Sequence, residues 1–103
     1  MENNNQNIKR ILHEEFKTKL NNVLVNMNEI LTEKNKSYGN AALDPINIFN
    51  KQTSENSILI RLDDKLTRIK NGDKLLKNDI IDLTGYLILL MINKEWWDGG
   101  EGL

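Results

Sequence analysis

The sequence predicts an all-α protein, a small bundle of three main helices with a long loop between the first two. Two observations carry that prediction. Apolar residues recur at intervals of three and four over three separate stretches, with no convincing strand pattern and no internal repeat. The only proline and a Tyr-Gly-Asn turn fall together in one interruption between the first stretch and the second.

The first helix is expected over residues 8–33. Ile8, Leu12, Phe16, Leu20, Val23, Met27, Ile30 and Leu31 fall on one arc of the helical wheel, and Glu15, Asn22, Glu29 and Glu33 gather at its edge. A loop then runs from Asn35 to Thr53, with room for a short helical turn after Pro45, where Ile46, Ile48 and Phe49 are apolar anchors. Loops of this length in a compact domain are usually functional when they are ordered.

Ser54 or Thr53 can cap the second helix, expected over residues 55–70 and ended by Asn71-Gly72. Its apolar stripe is Ile58, Leu62, Leu66 and Ile69, with Leu59 at one edge. Asn78 or Asp73 can cap the third helix, which is expected to reach Trp97 before Gly99 and Gly100 stop it. Around this helix Ile80, Ile81, Leu83, Leu87, Ile88, Leu90, Met91 and Ile92 surround nearly the whole circumference. A helix apolar all round is buried on most sides, and three helices cannot easily cover it. The expectation is therefore a homo-oligomer through the third helix, with Gly85 allowing close approach at a cost of roughly 1 kcal/mol relative to Ala.

Length and composition narrow the class. At 103 residues the chain is read as one domain, residues 1–103, with 1–7 and 98–103 as flexible ends. A formal net charge of −1 gives no global reason to expect nucleic acid or anionic membrane as a partner. The absence of cysteine removes disulfides, thiolate metal sites and cysteine nucleophiles. The start, MENNNQN, lacks the apolar segment of a signal peptide, and the run from Ile80 to Ile92 carries Asp82 and is too short for a confident membrane span. A soluble, cytoplasmic protein is expected.

Chemistry-bearing residues concentrate on the second and third helices. Asp79, Asp82, Tyr86 and Asn93 form a narrow polar strip on the third, within about 60° of one another. Asp at i and i+3 places two carboxylates side by side, an arrangement that either faces water or is neutralised by a cation or basic groups. Mg²⁺ suits such a pair, since it takes a few carboxylates with waters and phosphate oxygens. On the second helix Arg61, Asp64, Lys65 and Arg68 make one contiguous stripe, with Lys65 bordering the apolar face. That stripe is readable as intrahelical pairing or as a phosphate-binding surface. His13 stands alone on the first helix, no glycine-rich phosphate loop occurs, and Trp96-Trp97 suit either burial or stacking.

Three strings in order, K-x-x-x-YGN-x-A-x-x-P, IRLDDKLTRI and D-x-x-DLTGYLILL, resemble a family of small phage and bacterial proteins with a nucleotide modification associated domain. That family is remotely similar to the all-α nucleoside triphosphate pyrophosphohydrolases, the MazG-like and dimeric dUTPase group. The resemblance covers residues 31–92.

The resemblance implies an oligomeric all-α bundle, in which an E-x-x-E pair and an E-x-x-D pair bind Mg²⁺ for attack of water on the α-phosphate. Asp79 and Asp82 match the second pair as D-x-x-D. The first reads RLDD, leaving Asp64 or Asp63, with Glu29 or Glu33 as the remaining acids that can restore the count.

The implied site holds metal on Asp64, Asp79 and Asp82, with Asp79 and Asp82 as the catalytic carboxylates. Arg61, Lys65 and Arg68 take phosphates, and Lys34, Tyr38, Gly39 and Asn40 close over the nucleotide. The expected function is a Mg²⁺-dependent nucleotide pyrophosphohydrolase-like protein, in the host cytoplasm if phage-encoded. The incomplete acid set leaves open a protein that binds or sequesters a nucleotide without turnover. An oligomeric inhibitor acting through the third helix and Trp96-Trp97 is a further alternative.

Overall fold

The structure, a computed structural model, describes residues 2–37 and 53–98. It is all-α: helix α1 spans Glu2–Ser37, α2 spans Ser54–Asn71 and α3 spans Lys77–Asn93, with no strand among the described residues. The loop centred on Tyr38-Gly39-Asn40 and the turn expected after Pro45 lie outside the described residues. Contacts divide the chain into two units, residues 1–32 and 33–103.

In the first unit α1 begins at Glu2 rather than at Ile8. The polar start, ENNNQN, has no apolar periodicity to mark it as helix, so the pattern identifies only the amphipathic part. Ile8, Leu12, Phe16, Leu20 and Val23 occupy one stripe, as the spacing predicts, and all are exposed.

In the second unit α2 and α3 pack as an antiparallel hairpin. The start of α2 meets the end of α3, where Asn93 Nδ2 donates to Ser54 Oγ at 2.7 Å and Lys94 pairs with Glu55 at 3.0 Å. The hairpin's buried centre is Ile58 and Leu62, one helical turn apart on α2, with Gly85 buried on α3. Ile69 is half-buried, whereas Leu66 of the same stripe and Leu59 at its edge are exposed. Thr53 is the residue that caps α2, its hydroxyl accepting from the Asn56 N–H at 3.2 Å.

The turn between these helices begins at Asn71-Gly72, as the sequence predicts, and differs from expectation in how α3 is capped. Gly72 follows α2 with φ −78° and ψ 152°, which is extended and not left-handed, and its N–H bonds the Arg68 carbonyl at 3.0 Å. Glycine is favoured here by space: a Cβ would stand 3.1 Å from the Arg68 carbonyl oxygen. Neither Asp73 nor Asn78 caps α3. Leu76 holds the cap position without a side-chain bond, and Asp79 in the first turn supplies negative charge at the helix's positive end.

The end of α3 is a second correction. The helix stops at Asn93, not near Trp97, because Glu95 takes the left-handed conformation at φ 61°. The Glu95 N–H then bonds the Ile92 carbonyl at 3.0 Å and the Trp96 N–H bonds the Met91 carbonyl at 2.8 Å. This pair of reversed bonds is the Schellman stop, built with glutamate where glycine is usual.

The hairpin also fixes which way α3 faces. Asp79, Asp82, Tyr86 and Asn93 all meet partners on α2, while Ile80, Leu87 and Met91 form an exposed strip on the opposite side of the helix. No helix among the described residues is long and apolar enough to cross a membrane.

Candidate functional site

Lys65 leaves α2 beside the buried Ile58–Leu62 face, and its side chain is only 15% exposed. At 100° per residue it stands next to Ile58 on the wheel, so its stem runs along apolar surface and its ammonium is carried toward α3. There it lies 2.9 Å from Asp82 Oδ2 and 3.7 Å from Asp79 Oδ1. The i, i+3 spacing of the two aspartates puts both carboxylates within reach of one cation.

A second ammonium arrives from the last turn of α1, where Lys34 Nζ sits 3.5 Å from Asp82 Oδ1. Lys34 is half-exposed, so this longer contact contributes less than the one from Lys65. Asp82 therefore accepts from a different lysine at each oxygen.

The ionisation of the cluster follows from these contacts. The hydrogen bond from Lys65 holds the Asp82 carboxyl below the usual carboxylate range, against partial desolvation, with the charges of Lys65 and Lys34 helping. The same bond raises the Lys65 ammonium above its ordinary value. Desolvation and Arg68 oppose that shift, and the charges of Asp82 and Asp79 assist it. At neutral pH Asp82 is therefore a carboxylate and Lys65 an ammonium.

Arg61 and Tyr86 lie one turn further along the hairpin. The Arg61 guanidinium stands over the Tyr86 ring at 5.9 Å from its centre. Arg68 is exposed on the same flank of α2.

The sequence-derived set thus divides. Lys34, Lys65, Asp79 and Asp82 come together, with Arg61 and Arg68 on the flank. Asp64 is exposed and does not join them, because on the α2 wheel it points well away from Lys65. Among the described residues no group of three or more His, Cys, Asp or Glu side chains assembles that could hold a metal. Tyr38, Gly39 and Asn40 lie outside the described residues.

Sequence reading did not anticipate that Lys65 itself bridges the two aspartates. The signal was present in the 20° between Lys65 and Ile58 on the wheel and in the i, i+3 acids opposite. Glu55, which ties the other end of the hairpin to Lys94, was also not singled out, and Ser54, the partner of Asn93, was read only as a candidate helix cap. Comparison with known protein families, curated proteins and solved structures finds no match to this chain.

Proposed function

We propose that this protein binds a nucleotide together with Mg²⁺ over the α2–α3 hairpin and acts as a nucleotide pyrophosphohydrolase. The observation that supports this reading is the convergence of Lys34, Lys65, Asp79 and Asp82, which come from three separate stretches of sequence. One ammonium already contacts both aspartates, so a single cation is within reach of both. Two carboxylates completed by waters and phosphate oxygens are a ligand set that Mg²⁺ ordinarily takes. The fit rests on Asp79 and Asp82 alone, without Asp64. The chemistry a bound cation supplies is neutralisation of charge on the phosphate oxygens.

The chain's own groups do the rest in this reading. Lys65 and Lys34 neutralise the aspartates and are available to phosphate oxygens when a triphosphate arrives. Arg61 and Arg68 extend the positive flank, with guanidinium groups suited to bidentate phosphate contacts. Tyr38, Gly39 and Asn40 are assigned to the base and sugar. In the reaction a water oxygen would bond the α-phosphorus, its proton passing to solvent, while the bond from the α-phosphorus to the α,β-bridging oxygen breaks. A nucleoside monophosphate and pyrophosphate leave.

A second reading has its own support. Because no third acid joins Asp79 and Asp82 among the described residues, the same site suits capture of a nucleotide without turnover. Homo-oligomerisation through α3 belongs to both readings. It is supported by the exposed strip of Ile80, Leu87 and Met91 on the side of α3 away from α2. A cytoplasmic setting, where nucleotide and Mg²⁺ coexist, also belongs to both.

Equilibrium dialysis of a mixed nucleoside triphosphate pool, with Mg²⁺ and with EDTA, tests the site. The wild type should retain a nucleotide only with Mg²⁺, and Asp82→Asn should weaken retention by tenfold or more. Retention of a nucleotide equally by wild type, Asp82→Asn and Lys65→Met would place binding elsewhere on the molecule.

A further inference from the structure

Lys65 sits on both acids of α3 at once, 2.9 Å from Asp82 Oδ2 and 3.7 Å from Asp79 Oδ1, with its side chain only 15% exposed. These are the two carboxylates to which the proposed function assigns Mg²⁺, so two cations claim one place. Like charges that close repel, and only one of them can hold it at a time. The cluster sets two aspartates against two lysines. A divalent cation arriving alone therefore has to displace a paired, mostly covered ammonium and leave it without its counter-charge, which is costly.

A phosphate chain changes that balance. Arg61 and Arg68 stand four residues before Lys65 and three after it, so they share its side of α2, and both are exposed. A triphosphate held along this row offers the Lys65 ammonium a new acceptor. Lysine's flexible four-carbon stem lets the ammonium change partners without moving the helix. The hairpin does not hang on the bridge alone, since Ile58 and Leu62 are buried and Ser54–Asn93 and Glu55–Lys94 tie its other end. Resting on the reading of the hairpin as a nucleotide site, we infer that Lys65 gates it. Lys65 occupies the cation position between Asp79 and Asp82 and yields it only when phosphate is present to take the ammonium. Divalent cation and phosphate chain then bind as a coupled pair, each strengthening the other by the same factor. Lys34 contributes less, because it is half-exposed and its contact with Asp82 is 3.5 Å.

Titration of the full-length protein with Mn²⁺ alone, followed by electron paramagnetic resonance of the free ion, tests the gate without nucleotide. The wild type should bind Mn²⁺ weakly. Lys65→Met should bind it about tenfold or more tightly, since one opposing charge is gone from beside a divalent ion. Lys34→Met should change the affinity by less. Adding Asp82→Asn to Lys65→Met should abolish the gain, which locates it on the acidic pair. Lys65→Gln, which keeps a donor without the charge, should gain affinity as well, and circular dichroism checks the helix content of every variant. An equal Mn²⁺ affinity in wild type, Lys65→Met and Lys65→Gln overturns the inference. Dialysis against nucleoside triphosphates with Mn²⁺ tests the underlying reading separately. A wild type that retains nucleotide while its Mn²⁺ affinity is indifferent to Lys65 overturns the gate alone, and no retention overturns the reading on which it rests.

Discussion

The Lys65 ammonium lies 2.9 Å from Asp82 Oδ2 and also contacts Asp79, so one lysine of α2 bridges the acidic pair of α3. The contact joins the two helices at mid-hairpin, as Ser54–Asn93 and Glu55–Lys94 join them at one end. It holds together two acids whose like charges would otherwise repel one helical turn apart.

Removing that lysine should therefore hurt more than removing an ordinary surface lysine. Lys65→Met keeps the apolar stem and leaves Asp79 and Asp82 facing each other without their main counter-charge, and the thermal midpoint should fall. Adding Asp82→Asn to Lys65→Met should recover part of the loss, because one of the repelling charges is gone. Thermal denaturation of the two single variants and the double variant checks this as a coupling cycle. Additive losses would show that the bridge is not what links these residues.

The pH dependence has a definite sign on each side. Asp82 is held below its ordinary range, so its contribution to stability is complete above the unfolded value of about 3.9. That contribution is lost as pH falls through the lower folded value. Lys65 is raised, so its contribution is complete below the unfolded value of about 10.4. It is lost as pH rises through the higher folded value. Urea midpoints should thus be level between about pH 5 and 9 as far as this cluster is concerned, with Asp82→Asn flattening the acid limb.

Glu95 occupies a left-handed position that glycine adopts without steric cost. Glu95→Gly should stabilise the protein by about 0.5–1 kcal/mol, the relief of strain outweighing the added freedom of the unfolded chain. Chemical denaturation measures it directly, and a loss of stability would mean that the glutamate side chain supports the turn.

The hairpin core makes a graded prediction. Ile58 is 2% exposed, and Ile58→Ala should cost about 2–4 kcal/mol. Leu66, on the same apolar stripe but 51% exposed, should cost under about 1.5 kcal/mol on the same change. Similar costs at both positions would indicate that another surface covers Leu66 in solution.

Much of this was legible in the sequence, for identifiable reasons. The apolar spacing marks three helices because periodicity survives whatever the helices pack against. Lys65 was placed beside the apolar face by its angle to Ile58, and Asp79 and Asp82 were paired by their spacing. What α3 turns toward α2 was not legible, since its apolar residues surround the helix and offer no preferred face. The structure orients it by the four polar groups that find partners on α2. The stop at Asn93 was hidden because a left-handed glutamate leaves no compositional mark, whereas Gly99-Gly100 drew the boundary too far. Gly72 was recognised as the helix end, and the structure adds the reason that glycine suits it, clearance from the Arg68 carbonyl at an extended φ. Asp64 entered the expected metal set through motif matching, while its wheel position sends it outward.

One measurement tests the central claim most directly. The purified protein is incubated with a pool of ribo- and deoxynucleoside triphosphates, with Mg²⁺ and with EDTA, and the products are separated by ion-pair chromatography. The account predicts that one triphosphate disappears, with its monophosphate and pyrophosphate appearing in equal amounts, only when Mg²⁺ is present. An untouched pool, with no nucleotide carried by the protein in either condition, would contradict it.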